Sequence, residues 1–100
     1  MRKALLVIDV QKDYFPGGRM ELVGSVETSK RIRGLISLFR KRKNQVIHVQ
    51  YIAAKPNASF FLPDTDGVDF HENVLPEDTG KIIREKLSQQ LQDYGSGRLL

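Results

Sequence analysis

Asp9 closes an unbroken apolar run, ALLVI, and Lys86 closes a second short one, KIIREK, so a carboxylate and an amine are each delivered at the end of a strand-like segment. Brought to one edge of a sheet from different strands, the two form a candidate ion pair. Each keeps the other charged, and in a dry pocket either can move a proton. The same positions also suit an Asp9 that caps a loop and a Lys86 at the surface, and spacing alone does not choose between them. His48 falls inside an apolar segment, where a packed, hydrogen-bonded ring outweighs a ligand. His71 follows Asp64, Asp66 and Asp69 in DTDGVDFH, but this segment is not the twelve-residue calcium loop, and one histidine is too few for zinc. No metal and no cofactor are therefore expected. The glycine-rich fingerprints of nucleotide and dinucleotide binding, and GxSxG, are absent from the sequence. So is cysteine, which excludes disulfides, thiolate metal sites and thiol catalysis by these residues themselves.

The elements that must position Asp9 and Lys86 follow from the apolar pattern. The row of Leu, Val and Ile over 4–10 suits a parallel strand buried on both faces. YFPGG then breaks the chain into a loop. Ser25 is placed to cap a helix whose Ile32, Leu35, Ile36 and Phe39 share one face and which ends near Lys43 and Asn44 with a cationic last turn. QVIHVQYI reads as a second strand, and strand, helix, strand with short joints makes a right-handed parallel unit. The segment from AAKPN to PEDTG is long, polar and broken by prolines and glycines, which marks a binding or lid loop. KIIREK supplies a third strand, and LSQQLQDYGSG a weak helix or turn. In such sheets ligands collect outside the carboxyl ends of the strands, where Asp9 and Lys86 lie.

The chain has 100 residues, which allows one modest core and excludes a second domain. Its net charge of +4 comes largely from KRIRGLISLFRKRK, where the cations read as the wet face of a helix, so no nucleic-acid partner is expected. No apolar stretch is long enough to span a bilayer, no cleavage-site pattern follows the first strand, and a cytoplasmic protein without a membrane partner is expected.

ALLVIDVQKDYFPGG, VIHVQYI, FFLPDTDGVDFHENVLPE and KIIREK resemble, in order and spacing, the N-terminal portion of the isochorismatase-like cysteine hydrolases, the superfamily that includes nicotinamidases. The resemblance implies a three-layer α/β/α fold around a parallel sheet, here truncated to its first half, and an Asp, Lys and Cys catalytic set. Asp9 matches the acid that takes the thiol proton, and Lys86 the lysine that holds the thiolate and the developing charge. That logic is physical: a lysine lowers a nearby thiol's pKa, and a carboxylate can act as base for attack on an amide or ester-like carbon. Phe15 resembles a pocket-wall aromatic, and Gln11 beside it is taken as a second substrate contact. The intact family implies a small-molecule substrate of amide, ureide or vinyl-ether type. The loop after the second strand has the look of the metal-free branch.

The resemblance stops at Lys86. Family members usually follow that lysine with an aromatic and then Pro-Asn-Ser-Phe. Codons permitted for LSQQLQDYGS, read one base forward, spell Tyr-Pro-Asn-Ser-Phe-Arg-Thr-Thr-Gly-Leu. Residues 1–86 are therefore expected to be the N-terminal part of a hydrolase domain and 87–100 an out-of-frame or divergent tail, in a chain inactive for want of the nucleophile. A first strand left at a sheet edge predicts self-association. The alternative is a non-catalytic interaction or regulatory module that uses the basic helix over 25–43.

Overall fold

The computed structural model describes residues 2–55, 57–78 and 80–87. Three parallel strands, β1 (Ala4–Ile8), β2 (Gln45–Ala53) and β3 (Lys81–Leu87), form one sheet in the order β1-β2-β3. The helix α1 (Ser25–Lys41) joins β1 to β2 as the crossover that parallel neighbours require. Among the described residues β1 is thus an edge strand, and β2, flanked on both sides, is the centre.

Leu5 and Val7 of β1, Val46 of β2 and Ile82 of β3 belong to one core with Ile32, Ile36 and Phe39 of α1 and with Val74. Strand alternation places the other residues on the opposite face. There Leu6 is 54% exposed, Ile8 49% and Ile83 40%. The expectation of a strand buried on both faces therefore holds for only one: the helix covers a single face of the sheet, and nothing among the described residues lies over Leu6 and Ile8.

β1 ends at Ile8, two residues short of the strand expected over 4–10. Asp9 takes a left-handed backbone conformation (φ 65°), which turns Val10 and Gln11 out of the ladder. Gln11 pairs instead with Phe70 in an isolated antiparallel bridge, and the His71 amide donates to the Val10 carbonyl at 2.9 Å. The long loop is consequently fastened back across the end of β1.

The helix start also differs from the sequence expectation. Ser25 is the first helical residue rather than the cap; the cap is Gly24, at φ 78°, with no side-chain hydrogen bond. Glycine suits this position because a Cβ is disfavoured in the left-handed region. Beyond the helix, the Asn44 amide donates to the Phe39 carbonyl and Lys43 is left-handed (φ 59°), which turns the chain into β2. Arg31, Arg33, Lys41 and Arg42 are exposed, as a solvated face requires.

Between β2 and β3, two short 3-10 turns, Asp66–Val68 and Glu72–Val74, interrupt the loop. Phe60, Phe61 and Val68 form a second cluster, against Tyr14, Met20, Tyr51 and Ile52. The tail after Leu87, on which the weak-helix and shifted-frame readings fall, lies outside the described residues.

Candidate active site

Asp9 reaches the carboxyl end of β1 because Leu5 and Val7 are anchored under α1 and because its own amide donates to the Val49 carbonyl at 3.2 Å. One carboxylate oxygen, Oδ1, is buried and has no hydrogen-bond partner. Loss of water without replacement by a donor raises its pKa from 3.8 to about 6. The group is therefore half-buried, unpaired and close to the range in which a carboxyl exchanges protons at neutral pH.

It opens onto a cleft of about 270 Å³ lined by Tyr14, Phe15, Leu22, Ser29 and Ile32. Phe15 is a wall of this cleft. Its ring stacks on His71 with centroids 3.8 Å apart. The His71 Nδ1 accepts from the Asn73 amide at 3.0 Å, which holds the ring in place. Tyr14 lines the same cleft and was not among the sequence candidates. Burial, and then the nearby Asp9 charge, push its phenol up to about 12, so it stays a neutral donor. The alternation of Tyr14 with the buried Asp13 and Phe15 was the available signal, but in a tight 3-10 turn (Lys12–Tyr14) that periodicity does not say which ring faces the cleft. A larger groove, about 620 Å³, shares Phe15 but does not include Asp9.

Gln11 plays a different part from the one expected at the substrate. It is fully buried, and its amide nitrogen donates to the carbonyls of Tyr51 at 2.9 Å and Val68 at 2.8 Å. Its oxygen accepts from the Tyr51 amide at 2.9 Å. The side chain stitches the end of β2 to the long loop, and both donors are committed to main chain.

Asp13 is a functional scaffold residue that sequence reasoning missed. It is 2% exposed; its Oδ1 accepts from the Arg19 amide at 3.2 Å and its Oδ2 from the Phe61 amide at 2.6 Å. Gly67 lies so close that a Cβ there would overlap the carboxylate. One buried acid thus ties the segment after Phe15, the Phe60–Phe61 corner and the Asp66–Val68 turn together, and the first of these carries on to the cleft wall at Leu22.

Lys86 lies near the carboxyl end of β3, in register with Ile52, and is exposed. β2 separates it from Asp9. The ion pairs within 4.0 Å among the described residues are Lys12–Asp66, Lys30–Glu27 and Arg40–Glu77, so the expected Asp9–Lys86 pair is not formed. Two residues that flank a central strand stand too far apart for direct contact unless both lean over it. His48 is packed as its position in β2 suggests: it is fully buried, with Nε2 2.6 Å from the Val74 carbonyl. Burial keeps its pKa below the usual imidazole value, so it is neutral. Asp64, Asp66, Asp69 and His71 do not converge, and among the described residues no three such side chains are grouped to hold a metal ion.

A parallel sheet that delivers an unpaired acid to an aromatic-walled cleft at the end of its first strand defines an α/β protein with a candidate site at that sheet edge. The chain belongs to the isochorismatase family: the isochorismatase domain matches residues 3–93. Among curated relatives, the isochorismatase family protein YddQ of Bacillus subtilis is 43% identical over 83 residues, which is 83% of this chain and 46% of YddQ. YrdC of the same organism is 31% identical over 87 residues and is also covered to 46%. The chain thus spans about half the length of the curated relatives it matches. A crystal structure from Oleispira antarctica, assigned to the isochorismatase hydrolases, superposes with a TM-score of 0.78 at 32% identity, over 83% of this chain and 46% of that one. The N-carbamoylsarcosine amidase of Thermoplasma acidophilum shares the fold, with a TM-score of 0.74 at 20% identity over 85% of this chain and 52% of its own.

Proposed function

We propose that this chain carries the acid and the lysine of a cysteine-hydrolase site and does not itself turn over substrate. The observation that carries the reading is the partnerless Oδ1 of Asp9, in a carboxyl whose pKa is raised to about 6 at the mouth of a small aromatic cleft. Such a group accepts a proton from a thiol presented to it and returns it to a leaving amine. Lys86 acts from the end of β3, across β2 from Asp9, to favour the thiolate. The sequence offers no thiol, so the nucleophile has to come from outside these residues. The cleft volume suits a small amide, ureide or vinyl ether, and family membership together with the fold shared with an amidase supports C–N hydrolysis as the chemistry of the complete site.

The decisive experiment has two arms. The purified chain, assayed with small amides and ureides, is expected to show no turnover; activity that survives a thiol-alkylating reagent would refute the reading, since it would proceed without the thiol nucleophile. Resequencing the gene from the Lys86 codon onward tests the assignment of residues 87–100 to a shifted frame. A neighbouring frame that continues through Pro-Asn-Ser-Phe supports it. The family match runs to residue 93, past Lys86, and a single uninterrupted frame with no such continuation would overturn the shift. The second reading, a binding module that uses the exposed cations Arg31, Arg33, Lys41 and Arg42, predicts association with an anionic polymer that weakens steeply with salt.

A further inference from the structure

Two polar groups of the Asp9 cleft have no partner among the described residues. One is the buried Asp9 Oδ1. The other is the Tyr14 hydroxyl, which takes part in none of the side-chain hydrogen bonds formed there. The Tyr14 ring is held in place: Phe61 meets it edge-on with centroids 5.0 Å apart, and Phe60 lies at 6.3 Å. Its main chain is fixed as well, since the Leu22 amide donates to the Tyr14 carbonyl at 2.9 Å. Burial, and then the charge of Asp9, keep the phenol protonated, so a donor stands beside an acceptor.

The other polar side chains of the cleft are occupied or wet. The Ser29 hydroxyl donates to the Val26 carbonyl at 2.7 Å and accepts from the Asn73 side-chain amide at 3.0 Å. Thr28 is exposed and Ser25 half-buried, both on the first turn of α1. The remaining lining, which includes Val10, Phe15, Leu22 and Ile32, is apolar. In a cleft of this kind the few convergent polar groups orient the ligand. A donor next to an acceptor complements a carbonyl that carries an N–H. An ester or a vinyl ether offers oxygen to Tyr14 and nothing to Asp9, whose carboxylate then loses water without replacement. A carboxylate ligand sets a second negative charge against the first.

We propose that the cleft selects an uncharged amide or ureide bearing an N–H, whose carbonyl accepts from the Tyr14 hydroxyl and whose N–H donates to Asp9; this rests on the reading of the cleft as the substrate site. Of the amide, ureide and vinyl ether that its volume suits, the vinyl ether is thereby excluded. Tyr14 is the orienting donor. It sets the leaving nitrogen beside the carboxyl that returns a proton to it.

Isobutyramide, N-methylisobutyramide, methyl isobutyrate and isobutyrate, titrated into the isotope-labelled 100-residue chain above the Asp9 pKa of about 6, test this through the shifts of the Tyr14, Phe15 and Ile32 amides. Both amides are expected to bind. Methyl isobutyrate, which has oxygen where N-methylisobutyramide has its N–H, should bind about tenfold more weakly, and isobutyrate more weakly still. Tyr14→Phe keeps the ring packed on Phe60 and Phe61 and removes the donor alone. It should weaken amide binding about fivefold with an unchanged thermal midpoint. Ester and amide bound alike, or an amide affinity indifferent to Tyr14→Phe, overturns the selection while leaving the cleft as the substrate site. Shifts that fall only outside the cleft, or appear with none of the probes, overturn both.

Discussion

At the residue scale the chain keeps two acids under opposite conditions. Asp13 is buried with two main-chain amides donating to it, whereas Asp9 is half-buried with one oxygen unsatisfied. Asp13→Ala leaves the Phe61 and Arg19 amides without an acceptor and should cost about 2–4 kcal/mol in denaturant unfolding. Asp13→Asn, which keeps one acceptor, should cost less. Asp9 behaves in reverse. Its folded pKa, about 6, lies above its ordinary 3.8, so the native state holds the proton more tightly than the unfolded one. The associated stability is fully present below the ordinary value and is lost as pH rises through about 6. Asp9→Asn should therefore stabilise the protein well above pH 6 by about 1–2 kcal/mol, after allowing for the solvent that reaches the group, and should remove the change in unfolding free energy across that window. Chemical-shift titration of the Asp9 carboxyl carbon gives an independent reading. A midpoint near the ordinary aspartate value would remove the physical basis for a base at this position.

At the scale of elements, the entry to α1 and the centre of β2 carry the sharpest expectations. Gly24 sits at φ 78° with open space around its missing Cβ, so Gly24→Ala meets backbone strain and no steric contact. It should destabilise by about 1 kcal/mol, read as a lower thermal midpoint. Ser25→Ala should change stability by less than about 0.5 kcal/mol, because the Ser25 hydroxyl caps nothing. In β2, His48 is buried and neutral, its Nδ1 without a partner. Its lowered pKa means that the unfolded chain takes the proton first. The stability it contributes is present above the usual imidazole pKa and is lost as pH falls below it. Acid unfolding of the Asp9→Asn variant, where the opposing carboxyl contribution is gone, should therefore begin as pH drops through about 6.5. His48→Gln should delay it.

At the scale of the whole molecule, α1 covers one face of the sheet, and among the described residues nothing lies over Leu6 and Ile8 on the other. Much of this architecture was legible beforehand. Consecutive Leu, Val and Ile residues, the period of Ile32, Ile36 and Phe39, and the Pro and Gly breaks specify two strands, a helix and a loop through local sterics and burial. The Asp9 position at a strand end follows from those elements, because neighbours in sequence are carried together, whereas the Phe15 wall was implied only by the family resemblance. Other features depend on contacts between segments far apart in the chain. Gln11 looks like a loop polar residue until the Tyr51 and Val68 main chain closes around it, and Asp13 becomes a clamp only when Arg19 and Phe61 arrive with their amides. The separation of Asp9 from Lys86 is likewise a matter of strand order, since β2 lies between them. Apolarity alone does not say which face of a strand is covered: Leu5 and Val7 pack with α1, whereas Leu6 and Ile8 are exposed among the described residues, because cover depends on which distant segments lie over each face. The sequence by itself thus determined the strands, the helix and the acid at the end of the first strand, through interactions within a few residues. The partners of each buried polar group and the face of the sheet that α1 covers were decided by tertiary packing, which depends on where distant segments meet.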